Sequence, residues 1–117
     1  MNIEIVEKNG TRYLIINGVK IFSSVESGDE VLEVAMSEGV DAVVVPSEAV
    51  SLLFFDLKTR VAGEILQKFT LYHIRLAVTG DFSNIPSDSL RAFMVESNRQ
   101  GSIVFVDSIE AAFEKLR

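Results

Sequence analysis

The chain has no cysteine, a single histidine and fewer basic than acidic side chains, and each shortage removes a class of chemistry. Without thiols there are no disulfides, no thiolate nucleophile and no thiolate metal site, and the usual reporter of redox compartment is missing. One histidine, His73, excludes two-histidine metal motifs and leaves a serine triad without a spare base. The 11 lysines and arginines are outnumbered by 17 aspartates and glutamates. Phosphate backbones and anionic lipid surfaces draw affinity from clustered basic side chains, so neither nucleic acid nor a membrane is expected as a partner. No apolar run is long enough to span a bilayer, and the opening Met1-Asn2-Ile3-Glu4 has no basic segment followed by an apolar one. The expected location is the cytoplasm. Phosphate-cradling glycine loops, nucleophile elbows, internal repeats and linkers are also missing; the sequence points away from an enzyme, and no cofactor is expected.

What is present suits one compact domain over residues 1–117, with 48% apolar residues and enough chain to remove about two-thirds of its unfolded surface from water. Asn9-Gly10 between two alternating apolar runs predicts a hairpin with positive φ at both turn residues. Asn17-Gly18 repeats the turn chemistry, so the second strand either ends there or bends before Val19-Lys20-Ile21-Phe22. Ser27 with Glu30 predicts a capping box and a first helix over residues 28–38, closed by Gly39. Ala42-Val43-Val44-Val45, stopped by Pro46, reads as a strand covered on both faces. From Leu57, apolar positions at Val61, Ile65, Phe69 and Tyr72 predict a second helix with an unexpected Gly63 inside it. His73 begins the next strand, and residues 80–84 form the turn that leaves it. Ser87 caps a third helix with Leu90, Phe93 and Met94 inward and Gly101 at its end. Ile103-Val104-Phe105-Val106 is a further buried strand, followed by a last helix capped by Asp107 and Glu110. The expected fold is α/β: a single mixed sheet of five strands that starts with an antiparallel hairpin and continues as alternating helix and parallel strand, with four main helices.

FFDLKT at 54–59, AGEILQKF at 62–69, GDFS at 80–83, ESN at 96–98 and the closing FVDS with EAAFEKL carry a resemblance. In these residues the chain resembles the bacterial domain-of-unknown-function family 4180, over roughly its last two-thirds. The family's name carries no activity. The chain departs from the family pattern in having Leu52-Leu53 where acidic residues usually precede the phenylalanines, and Arg60 where glycine is common. The element order also resembles the sulfate-transporter and anti-sigma-factor-antagonist (STAS) fold. That likeness implies a partner-touching loop before the second helix that carries a phosphorylatable serine, although a shared fold does not carry a shared function.

Several residues are candidates for function. Asp56-Leu57-Lys58-Thr59 falls at the expected start of the second helix, where free N–H groups favour negative charge; Thr59 is either a phosphate acceptor or a first-turn residue behind an Asp56 cap. Four consecutive large apolar side chains, Leu52, Leu53, Phe54 and Phe55, cannot all face one core, so at least one is expected at the surface. They either form an interface, with a homodimer the commonest use, or make a short helix and lid whose phenylalanines plug the end of the sheet. The partner-binding candidates are therefore Leu52, Leu53, Phe54, Phe55, Asp56, Lys58, Thr59 and Arg60. Glu48, Asp81 and Asp107 follow strands, where open parallel sheets collect ligands, and three carboxylates could hold Mg²⁺ in an enzyme or a metal-dependent binder. Gly63 predicts close approach of another backbone or a ligand, for instance where its helix crosses the hairpin. Phe54, Phe55, Phe69 and Phe82 could line a pocket for a small apolar ligand. A small non-enzymatic interaction or regulatory module acting through residues 52–60 is the leading expectation.

Overall fold

The computed structural model of the chain describes residues 2–18 and 21–116. Strands β1 (Asn2–Lys8) and β2 (Thr11–Asn17) form the hairpin, with Asn9 at φ 52° and Gly10 at φ 82°, as the Asn-Gly pair requires. Helix α1 (Val25–Glu38), strand β3 (Ala42–Pro46), a one-turn helix α2 (Leu52–Phe55), helix α3 (Val61–Leu71), strand β4 (Arg75–Thr79), helix α4 (Asp88–Gln100), strand β5 (Ile103–Val106) and helix α5 (Ile109–Lys115) follow in order. The five strands lie side by side in chain order; β1 is antiparallel to β2, and every later neighbour is parallel. The expected mixed α/β sheet is therefore present, with one short helix more than the sequence predicted.

Strands that advance in one direction through right-handed crossovers place every crossover helix on the same face. Packing bears this out. Val31, Leu32 and Ala35 of α1, Ala62, Ile65, Leu66 and Phe69 of α3, and Leu90 and Met94 of α4 share one apolar cluster with Leu14, Ile16, Val43, Val45, Leu76, Val78 and Phe105. The alternate strand residues Tyr13, Ile15, Ala42, Val44, Ala77 and Val104 point to the other face, covered by Ala112 and Phe113 of α5 and by Leu116 just after it. The Phe113 ring lies 4.6 Å from that of Tyr13, so this short helix reaches back across the sheet to the hairpin. Among the described residues no polar or charged residue is buried.

Several local expectations move. Helix α1 starts three residues before the expected position: Ser24 is its cap, bonded reciprocally with Ser27 rather than through a Ser27–Glu30 pair. Ser108, not Asp107, caps α5, its hydroxyl accepting from Ala111 N–H at 3.0 Å. His73 does not begin β4; it turns the chain at φ 58° after α3. Of the two outcomes after Asn17-Gly18, Val19 and Lys20 lie outside the described residues, while Ile21 forms an isolated parallel bridge with Val50. Nor does Gly63 mark a close crossing: a Cβ there would meet nothing within 4 Å. The close approach is at Gly28, where a Cβ would stand 2.7 Å from Cγ1 of Ile65, and so α3 crosses α1 rather than the hairpin.

Candidate functional site

The segment that follows β3 is hung on Ile21. Its N–H donates to Ala49 O at 2.8 Å and its carbonyl accepts from Ser51 N–H at 2.8 Å. This backbone bridge fixes where α2 starts, and the Ser51 hydroxyl caps the turn by accepting from Leu53 N–H at 3.2 Å. One turn of helix then divides the four apolar side chains. Phe54 is 1% exposed, and Phe55 is half-buried against the same core. Leu52 is 85% exposed and Leu53 49%. The phenylalanines plug the core and the leucines face out, so at least one of the four large side chains is at the surface, as expected.

Phe54 is the centre of a chain of rings. It stacks on Phe22 at 5.4 Å between centroids, and Phe22 meets Phe69 edge-on at 5.8 Å. On its other side Phe55 stands edge-on at 5.4 Å, continuing to Phe82 at 6.5 Å, to Phe105 at 5.7 Å and to Phe93 at 5.9 Å. Where a pocket was expected among Phe54, Phe55, Phe69 and Phe82, the Phe22 ring lies between Phe54 and Phe69. Phe22 was not singled out from the sequence. It holds φ 62°, a left-handed conformation that costs a bulky residue energy and persists where packing fixes it.

The helix expected from Leu57 starts only at Val61. Asp56 caps a separate 3-10 turn, Leu57–Thr59, its carboxylate accepting from Lys58 N–H at 3.2 Å. Arg60 then takes φ 64°, and α3 begins at Val61 without a side-chain cap. Thr59 ties the three pieces together. Its hydroxyl lies 2.7 Å from Leu53 O and 2.8 Å from Asp56 O, and it accepts from Val61 N–H at 3.3 Å. Thr59 is exposed, yet its oxygen is a structural joint rather than a free acceptor above a helix N-terminus. Asp56, Lys58 and Arg60 are exposed around it, so the two leucines are flanked by charges of both signs.

The strand-end carboxylates separate. Among the described residues no group of three or more metal-ligating side chains converges. Asp81 and Asp107 border an open cavity of about 410 Å³ at the ends of β4 and β5, together with Phe82, Ser83 and Lys115; Glu48 is not part of that lining. The Asp81 carboxyl is held below its ordinary range by the Ser83 hydroxyl at 2.6 Å and the Ser83 N–H at 3.0 Å, the geometry of a capped turn. Ser47 stands so close to the start of this loop that a Cβ at Gly80 would fall 2.2 Å from its Oγ. Gly63 borders a groove of about 260 Å³ with Leu66, Gln67 and Phe93.

No curated protein and no solved structure matches the chain, so the STAS likeness rests on element order alone. The family comparison reaches nearer the N-terminus than the motifs that first carried the resemblance: the profile of a domain of unknown function, DUF4180, matches residues 8–116, and the chain belongs to that family.

Proposed function

We propose that the chain is a small cytoplasmic, non-enzymatic module that regulates or scaffolds by binding another protein through residues 52–60. The observation that carries this reading is the division within α2: Leu52 and Leu53 are presented on a turn whose Phe54 is buried in the core. A flexible loop would pay an ordering cost on binding, whereas a turn fixed by Ile21, Ser51 and Thr59 has already met it. An apolar centre flanked by Asp56, Lys58 and Arg60 follows the arrangement of protein interfaces, apolar inside and polar at the rim. A photo-crosslinking residue placed at Leu52, in cells that make the protein, should trap a protein that the same residue at exposed Val95 does not. Trapping should disappear in a folded variant carrying Leu53→Ser. Identical products from both positions would remove the reading.

The cavity beside Asp81, Asp107 and Lys115 favours a second reading, a small-ligand or metal-dependent site at the strand ends. Titration of Mg²⁺ against the melting midpoint separates the metal form of it. A millimolar ion that leaves the midpoint of the wild type unmoved eliminates a bound metal.

A further inference from the structure

The two edges of the sheet are treated differently. At β5, helix α4 supplies side chains that stand in for a sixth strand. The Asn98 amide accepts from Phe105 N–H at 2.6 Å and donates to Phe105 O at 3.1 Å, while the Ser97 hydroxyl donates to Ile103 O at 2.5 Å. This edge is closed to pairing, in keeping with the way proteins guard exposed strands.

The β1 edge has no such cover. Arg12 exchanges hydrogen bonds with Asp41 on the β3 side, donating to Asp41 Oδ2 and accepting from Asp41 N–H. By strand alternation Thr11, Tyr13 and Ile15 turn their backbone groups toward β1, where they face Lys8, Val6 and Glu4. Ile3, Ile5 and Glu7 consequently point their N–H and C=O groups outward. Among the described residues these groups take part in no bond outside the hairpin. The strand is seven residues long, without proline or positive φ, and Ile3 beside the open edge is 43% exposed.

We infer that β1 is a self-association edge, pairing antiparallel with β1 of a second copy about a two-fold axis at Ile5. The occupant is a second copy because the strand is complementary to itself in that register. Ile5 faces Ile5 of the other chain, and Ile3 faces Glu7, so the outward groups meet as hydrogen-bonded pairs, about six bonds in all. On the helix side, Ile5 faces Ile5 and lies diagonally from Ile3 of the other chain, while Glu7 stands opposite Ile3. On the other side, Glu4 faces Val6 and lies diagonally from both Lys8 and Glu4 of the other chain, Lys8 faces Asn2, and no two like charges are directly opposite. An isologous contact of this kind closes on itself, and the sealed β5 edge prevents the joined sheets from growing further. Residues 52–60 take no part and stay open to a different protein.

Sedimentation equilibrium from micromolar to millimolar protein tests the inference. The wild type and the Leu52→Ser/Leu53→Ser variant should both form dimers. Ile3→Pro/Glu7→Pro removes outward donors only, leaving the pairing with β2, and should weaken association by at least about 100-fold. A monomeric wild type, a dimer that survives the prolines, or a dimer lost with the leucines instead would each overturn it. Should the prolines disturb folding, amide exchange of the wild type decides. Protection of Ile3, Ile5 and Glu7 must rise with concentration while that of Glu4 and Val6 stays constant, and concentration-independent exchange at all five refutes the pairing. Failure here leaves the crosslinking result at Leu52 untouched, so the two surfaces are judged separately.

Discussion

Replacing Phe54 by alanine tests the claim that α2 is an anchor with an exposed crest. The ring is 1% exposed and contacts two others, stacked on Phe22 and edge-on to Phe55, each at 5.4 Å. Truncating a buried phenylalanine costs about 3–5 kcal/mol through lost transfer energy and the residual cavity. Each aromatic pair adds about 0.5–1.5 kcal/mol beyond burial. The upper half of the range applies here, because Phe22 is already held in a left-handed conformation and has little freedom to collapse into the void. A loss of about 4 kcal/mol is a large part of the roughly 6–17 kcal/mol expected for a chain of this length. With an unfolding entropy of about 0.25 kcal/mol/K, the same loss lowers Tm by about 16 °C. Urea unfolding followed by circular dichroism should show a lower midpoint at an unchanged slope. Leu52→Ala, one turn position away on an 85% exposed residue, should stay within about 0.5 kcal/mol of wild type. Equal losses for the two variants, or a Phe54→Ala loss below about 1 kcal/mol, would refute the assignment of anchor and crest.

Gly63→Ala should stabilise by up to about 1 kcal/mol in thermal melts, since a helical position with nothing within 4 Å gains propensity at no steric cost. Gly28→Ala should instead destabilise by about 1–2 kcal/mol, because the added methyl overlaps Ile65, which is fully buried, and overpacking outweighs the same propensity gain. Arg60→Gly should stabilise by about 0.5–1 kcal/mol in urea unfolding, relieving the left-handed strain at φ 64° between the 3-10 turn and α3. For pH dependence, Asp81 and Glu96 both have lowered folded pKa values, Asp81 through Ser83 and Glu96 through Arg99 and Gln100. Their contribution is present above the ordinary carboxylate range and is lost as pH falls through the depressed values, so Ser83→Ala should flatten the acid limb of a stability-against-pH curve.

Elements whose signals are local were legible in the sequence. The Asn9-Gly10 turn, the run from Ala42 to Val45 and the Ser87 to Gly101 helix each depend on residues within a few positions of one another, and each stands where periodicity put it. Errors arose where two local signals competed. Ser24 and Ser27 can both cap, and the reciprocal serine pair prevailed over Ser27 with Glu30. The stripe from Leu57 into Val61 has helical spacing, but periodicity is blind to backbone dihedrals, and Arg60 breaks the helix there. Contacts between distant segments were not legible: nothing near Phe22 announces that it lies between Phe54 and Phe69, and the ESN stretch gave no hint that Asn98 would close a strand edge. The same holds for glycines, since only the tertiary crossing distinguishes Gly28 from Gly63.

Strands laid down in the order in which they are numbered have a consequence for how the molecule is made. Each new ribbon docks beside the one synthesised just before it, so no segment must wait for a distant stretch to emerge, and the entropic penalty of closing long loops stays small. A growing polypeptide can thus lengthen its sheet from the hairpin outward on the ribosome. Helix α5 is the exception. Its Phe113 must travel back to Tyr13, so that closing step waits until this helix has emerged from the ribosome.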